Sequence, residues 1–71
     1  MNIDSIQFLT PDELAQFLKI SKPTIYRLVD NRKIPFYRIN GSLRFDKKDI
    51  LDYLQKNRIE TIKHEYDSKN N

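Results

Sequence analysis

The 71-residue sequence contains no cysteine, one histidine and one glycine. Without cysteine the chain can form neither disulfides nor thiolate metal sites, and His64 stands alone among polar residues, so we expect no metal centre and a cytoplasmic location. No apolar run approaches the roughly 18 residues of a membrane span. Met1–Thr10 has neither the basic start nor the apolar core of a secretory signal. We therefore expect no membrane segment.

The residues that enzymes use are equally scarce. A catalytic site needs a nucleophile, a base and a pocket, and the sequence offers one histidine and no glycine-rich phosphate loop. A chain of this length forms one core and has little volume for a cleft. Two pairs of carboxylates are present, Asp12/Glu13 and Asp49/Asp52. Helix starts and the spacing of surface residues explain them better than metal binding or acid–base catalysis. We expect no enzymatic activity and no cofactor.

Basic charge is concentrated in the middle of the chain. Residues 1–18 carry three carboxylates and no cation, for a net charge of −3. Residues 19–48 carry nine cations against two carboxylates, for +7, and residues 49–71 return to −1. Such a distribution is expected of a surface that binds a polyanion, whereas an evenly solvated protein intersperses its charges.

The first helix begins at a local capping pattern. Residues 10–13, TPDE, match a capping box with proline at the first helical position. A helix-turn-helix is indicated, because only two residues separate the end of this helix, near Lys19, from a second capping residue at Ser21. We expect the buried stripe of the first helix to consist of Leu14, Phe17 and Leu18.

The second helix is predicted to run from a cap at Ser21 to Asp30. Its exposed face is the candidate binding surface of the chain. Ile25, Leu28 and Val29 follow the i, i+3, i+4 rule and should be buried. The remaining face is polar and cationic, and it could lie in a DNA groove or be an ordinary surface. The candidate DNA-contacting residues on it are Lys22, Thr24, Tyr26 and Arg27.

A hairpin follows, with Asn40-Gly41 as its turn signal. A strict two-residue turn would pair Ile39 with Ser42. We favour a register shifted by one residue, through a bulge or a three-residue loop, because it gives the hairpin one core face. The expected pairs are then Ile39–Leu43, Tyr37–Phe45 and Arg38–Arg44.

That register would place Arg38 and Arg44 opposite each other on the exposed face of the hairpin. Like charges in this position are destabilising unless an anion lies between them, and a DNA phosphate would serve. The alternative is that two surface arginines merely solubilise the hairpin.

A third helix is expected after a cap at Asp46, with Ile50, Leu51 and Leu54 facing inward. Lys47 lies in its first turn, where the helix dipole disfavours cations, so it is a further candidate for phosphate contact.

Residues 1–57 are predicted to form one domain. Residues 58–71 are predicted to be a tail, partly disordered or extending the third helix. Within this tail, Ile59, Ile62 and Tyr66 form the candidate contact for self-association.

Three stretches between Phe8 and Leu54 resemble a known family in their order and spacing: FLTPDELAQFLKISKPTIYRLV, IPFYRINGSLRF and DKKDILDYL. They resemble the excisionase-like, MerR-related winged helix-turn-helix domains of small phage, plasmid and transposon regulators. The resemblance implies a mainly α fold with a small β-hairpin, that is, three helices plus a two-stranded wing. The DNA-contacting positions that it implies on the wing are Arg38, Asn40, Gly41, Ser42 and Arg44.

The function implied by this resemblance is sequence-specific binding of double-stranded DNA. Three roles stay open. The favoured one is an excisionase, a recombination directionality factor that acts beside an integrase and binds DNA in several cooperative copies. The others are a small transcriptional regulator, either repressor or activator, and a protein-interaction or DNA-packaging adaptor that has retained the fold.

Overall fold

The computed structural model describes residues 6–61 of the chain. It contains three helices and three short strands, which confirms the predicted winged helix-turn-helix. The strands form an antiparallel sheet in the order β1-β3-β2. In chain order the elements are β1 (Phe8–Leu9), α1 (Pro11–Leu18), α2 (Lys22–Asp30), β2 (Tyr37–Ile39), β3 (Ser42–Asp46) and α3 (Lys47–Lys56).

Each helix begins at the residue that local chemistry predicts. Thr10 Oγ1 accepts from the Glu13 N–H at 3.1 Å, and Glu13 Oε1 accepts from the Thr10 N–H at 2.9 Å, so the capping box is complete. Ser21 caps α2 by accepting from the Thr24 N–H. Asp46, the last residue of β3, is also the cap of α3, so β3 passes into α3 without a connecting residue.

The helix-turn-helix is closed without a glycine. Lys19 ends α1 in the left-handed conformation, with φ of 60°, and its backbone N–H donates to the Ala15 carbonyl. This position usually favours glycine, because a Cβ is strained there. The next residue, Ile20, donates to the same carbonyl at 3.1 Å, and α2 begins immediately afterwards. The turn therefore fixes the direction of α2 relative to α1.

One core joins all three helices to β3. Phe45 on β3 is its largest completely buried side chain. α1 packs on both α2 and β3, and α3 packs on β3, so α2 is held against the core through α1 and its own buried Ile25 and Val29. The buried core residues are Leu14, Ile25, Val29, Ile34, Leu43, Phe45 and Ile50.

Some residues of α1 and α3 that we predicted to face inward are exposed. Phe17 is 42% exposed, Leu51 50% and Leu54 38%. Helical periodicity predicts which residues share a face, but the neighbouring elements decide how much of that face is covered. Leu14 on α1 and Ile50 on α3 are completely buried, and Leu18 packs partly buried against the core as predicted, whereas the other three residues of the two stripes stay largely at the surface.

The predicted hairpin register was wrong by one residue. The observed pairs are Tyr37–Arg44, Arg38–Leu43 and Ile39–Ser42, as a two-residue turn requires. Asn40 and Gly41 have φ of 50° and 85°, the two successive positive values of a type I′ turn. The prediction demanded a core face from both strands, whereas every residue of β2 is exposed and only β3 reaches the core.

This register also separates the two wing arginines. Directly paired residues point to the same side of a sheet, so Arg44 lies beside Tyr37 and Arg38 beside Leu43, on opposite faces. The expected pair of facing arginines with an anion between them is therefore wrong. Phe8 of β1, a strand that we did not predict, lies with Tyr37, their ring centroids 5.3 Å apart in a T-shaped contact.

α3 ends at Lys56, and the described residues 58–61 have no regular structure. Ile59 is 87% exposed. The predicted self-association contacts Ile62 and Tyr66, and the rest of the predicted tail, lie outside the described residues. No helix within residues 6–61 has the length and apolar character needed to cross a membrane.

Candidate nucleic-acid interface

α2 presents the polar face that the sequence predicts. Ile25 and Val29 are buried and turn this helix onto the core, which leaves Tyr26 42% exposed and Arg27 at the surface. Thr24 is half-buried, and its hydroxyl lies 2.9 Å from Ser21 Oγ. Tyr26 and Arg27 are thus available to a ligand, while the Thr24 hydroxyl also takes part in capping its own helix.

Lys22, at the start of α2, is held by α1. Its Nζ lies 2.9 Å from Asp12 Oδ1, in a solvent-accessible ion pair. The hydrogen bond to Asp12 and the charge of its carboxylate raise the pKa of Lys22 above its ordinary value. Lys22 therefore stays cationic at physiological pH, but any phosphate that binds it must compete with Asp12.

We expect Asp12→Asn to strengthen binding to double-stranded DNA by about two- to fivefold at low salt, because it releases the Lys22 ammonium and removes a repulsive charge. Fluorescence anisotropy with a random-sequence duplex measures the effect. Asp52→Asn on α3 is the matched control, since it makes the same charge change away from Lys22. Equal strengthening in the two variants would mean that only net charge matters.

The wing residues differ in how available they are. Arg38 and the tip residues Asn40, Gly41 and Ser42 are exposed. Arg44 is half-buried, and one of its guanidinium nitrogens donates to the Leu43 carbonyl at 2.8 Å. Since a guanidinium has five N–H donors, Arg44 keeps further donors for an anion.

Lys47 lies against α1 instead of standing out from α3. Its ammonium is 5.5 Å from the centroid of the Phe17 ring, and its backbone N–H donates to the Gln7 carbonyl at 2.8 Å. The half-buried side chain can still reach a phosphate, but its resting position is the face of an aromatic ring.

Sequence reasoning missed Arg32. This residue follows α2 in the left-handed conformation, with φ of 55°, and its guanidinium lies 5.6 Å from the centroid of the Phe36 ring. Arg38 of the wing lies 5.9 Å from the same centroid. The end of α2 and the wing therefore share one basic cluster, which we name the Arg32–Phe36–Arg38 cluster. The sequence showed the charge of Arg32 but no sign of this contact.

Four arginines, which lie on α2, directly after it and on the wing, lack a carboxylate partner within residues 6–61. Within residues 6–61 the ion pairs are Lys22–Asp12 and Arg58–Glu60. Guanidinium groups without a carboxylate in reach are suited to phosphate, which they can bind through paired N–H groups. In the described part of the chain, the guanidinium groups without a carboxylate partner are those of Arg27, Arg32, Arg38 and Arg44.

Residues 8–58 match the model of a protein family described as a helix-turn-helix domain. The match spans both helices of the turn, the wing and α3. No solved structure matches the chain significantly.

Three curated proteins are similar to parts of the chain. "Putative DNA-binding protein Rv0500A" of Mycobacterium tuberculosis is 41% identical over 49 residues, which cover 69% of this chain and 63% of that protein. "Uncharacterized protein YvgK" of Bacillus subtilis is 39% identical over 44 residues, or 62% of this chain and 14% of that protein. "Putative antitoxin VapB50" of M. tuberculosis is 38% identical over 50 residues, which cover 70% of this chain and 38% of that protein. The chain spans less than two thirds of the length of these relatives.

Proposed function

The chain belongs to the helix-turn-helix domain family, and from this premise we propose that it binds double-stranded DNA, with α2 in the major groove and the wing on the flanking backbone or minor groove. The observation that carries the proposal is the exposed cationic face of α2, beside a wing whose arginines have no carboxylate partner within residues 6–61. The DNA-binding description of one relative, which is 41% identical, supports it.

The dimensions of α2 suit a groove. An α-helix with its side chains is about 10–12 Å across, and the major groove is about 12 Å wide, so α2 can enter it. We assign base contact to Arg27, because a guanidinium can bind guanine O6 and N7 together and this residue points away from the core. Thr24 and Tyr26 flank it on the helix. The phosphate contacts would come from Lys22, Arg38, Arg44 and Lys47.

The dependence of DNA affinity on salt tests this proposal. If about five phosphates are bound, the logarithm of the association constant should fall with log salt at a slope of roughly −4 to −5. The measurement is anisotropy with a 20-base-pair duplex over a series of salt concentrations. Arg44→Ala should make the slope less negative by about 1, whereas the control Arg58→Ala should leave it unchanged, because Arg58 is paired with Glu60 after α3.

A folded wild-type protein with a slope near zero would contradict the proposal. That result would favour the alternative from another class, a protein-interaction or packaging adaptor that retains the fold.

We further propose that this DNA binding serves recombination directionality, beside an integrase on a mobile element. The resemblance of three ordered stretches to excisionase-like domains supports this role. A single module of this size buries only about 600–1,000 Å² on DNA, so useful occupancy calls for several copies on adjacent sites. Gel shifts on a long natural site should then show a ladder of complexes with bent DNA, and a single unbent complex at saturation would favour a small transcriptional regulator.

A further inference from the structure

The Arg32–Phe36–Arg38 cluster joins two parts of the interface that are separate in sequence. Arg32 comes from the residues that end α2, and Arg38 lies in β2. Phe36 is half-buried, and its contacts with the core hold its ring in place. Because both guanidinium carbons lie within 6 Å of one ring centroid, they are at most about 12 Å apart, so they can contact the same short stretch of DNA backbone.

Local backbone structure determines how both side chains reach the ring. The Arg32 N–H donates to the Val29 carbonyl at 3.0 Å, and the Lys33 N–H donates to the Leu28 carbonyl at 2.8 Å, so the chain folds back over the last turn of α2. Phe36 directly precedes β2 and Arg38 lies within it, and the 5.9 Å between the Arg38 guanidinium carbon and the Phe36 ring centroid shows that both side chains are on the same side of the hairpin. That side is the one on which Leu43 and Phe45 face the core.

The two positive charges of the cluster are not neutralised by a carboxylate within residues 6–61. An aromatic face attracts a guanidinium through its quadrupole but carries no net charge, so it does not neutralise two cations. No carboxylate within residues 6–61 forms an ion pair with Arg32 or Arg38. A guanidinium that lies near a ring and has no carboxylate partner keeps N–H donors that can bind phosphate oxygens.

We propose that Arg32 and Arg38 form a phosphodiester-binding site on the DNA backbone beside the C-terminal end of α2, and that Phe36 is the positioning residue that holds both guanidinium groups. The site deepens the proposed function and depends on it. It adds Arg32 to the interface and gives Phe36 a part in binding although its ring touches no DNA.

Variants of each member test the site with a random-sequence 20-base-pair duplex. Arg32→Ala and Arg38→Ala should each weaken binding about five- to tenfold and make the salt slope less negative by about 1. Lys33→Ala is the matched control, because Lys33 is an exposed neighbouring cation that does not lie over the ring, and it should change affinity less than twofold. Phe36→Tyr, which keeps an aromatic face, should bind like the wild type.

Phe36→Leu separates positioning from packing, since it keeps apolar bulk and removes the ring. We expect it to stay folded by circular dichroism and to weaken binding. Because the arginines act through the ring, Arg32→Ala should cost less affinity in the Phe36→Leu background than in the wild type. If Phe36→Leu does not fold, the two arginine variants still decide whether the phosphate site exists, and Phe36→Met, which also removes the ring and keeps apolar bulk, replaces it in the test of positioning.

Two results would overturn the inference. One is a wild-type slope of −4 to −5 that Arg32→Ala leaves unchanged, which removes this site and keeps DNA binding. The other is full additivity of Arg32→Ala with a folded Phe36→Leu variant, which removes the positioning role of the ring. A wild-type slope near zero would instead reject the proposed function together with the site.

Discussion

Phe45→Ala is expected to lower the free energy of unfolding by about 3–5 kcal/mol, the range measured when a buried aromatic side chain is truncated. Phe45 is completely buried on β3, between the two other strands and beneath the helices. A domain of this size rarely has more than about 3–5 kcal/mol of stability from its core, so the variant should be largely unfolded at 37 °C. Urea and thermal unfolding followed by circular dichroism measure the loss.

The control for this substitution is Leu51→Ala, which also truncates a large apolar residue but at a position that is half-exposed. It should cost less than about 1 kcal/mol, as surface substitutions do. A Phe45→Ala protein that melts within a few degrees of the wild type would show that β3 is not the centre of the core.

Arg27→Ala is expected to remove sequence preference while leaving binding to random DNA comparatively intact. A bidentate contact between arginine and guanine contributes about 1–3 kcal/mol of discrimination, so the ratio of specific to random affinity should fall about 5- to 150-fold. Base contact is assigned to Arg27 because it is exposed on α2, away from the buried Ile25 and Val29. Competition binding with a duplex first selected from a random library gives this ratio.

Two other variants separate charge from geometry. Arg27→Lys keeps the positive charge but loses the planar fork, so it should lose the preference and retain the salt slope. Arg44→Ala should weaken selected and random duplexes alike, because it is assigned to phosphate. If Arg27→Ala and Arg44→Ala reduced both affinities by the same factors, Arg27 would have no role in reading bases.

The parts of the fold that were predictable depend on neighbours in sequence. The caps at Thr10, Ser21 and Asp46 each act within three residues, so the sequence indicates them directly. The exposed face of α2 follows from helical periodicity and the burial of Ile25 and Val29. These local rules were sufficient to predict three helices in the right places and the polar residues of α2.

Features that depend on distant partners were not predictable. β1 has two residues and no periodic signal of its own, and it exists because Phe8 and Leu9 pair with the end of β3. In the hairpin, the turn chemistry of Asn40-Gly41 determined the register, and our assumption of a shared core face was wrong.

The site was incomplete in sequence because the contact of Arg32 with Phe36 forms in the irregular connection between α2 and β2. There Arg32 has a left-handed backbone, which the sequence did not indicate. No spacing rule connects these residues. All of the predicted DNA contacts stay predictions, namely those of Lys22, Thr24, Tyr26, Arg27, Arg38, Asn40, Gly41, Ser42, Arg44 and Lys47. The structure adds that Lys22 and Lys47 already have partners in Asp12 and Phe17.

The direct passage from β3 into α3 at Asp46 limits where a domain of this kind can change in length. One residue inserted or deleted there would rotate α3 by about 100° and carry Ile50 from the interior to the surface. Residues 58–61, which follow α3, carry no such constraint, because their side chains are exposed. An insertion directly after α3 would therefore move no core residue, whereas the strand-to-helix junction must keep its length.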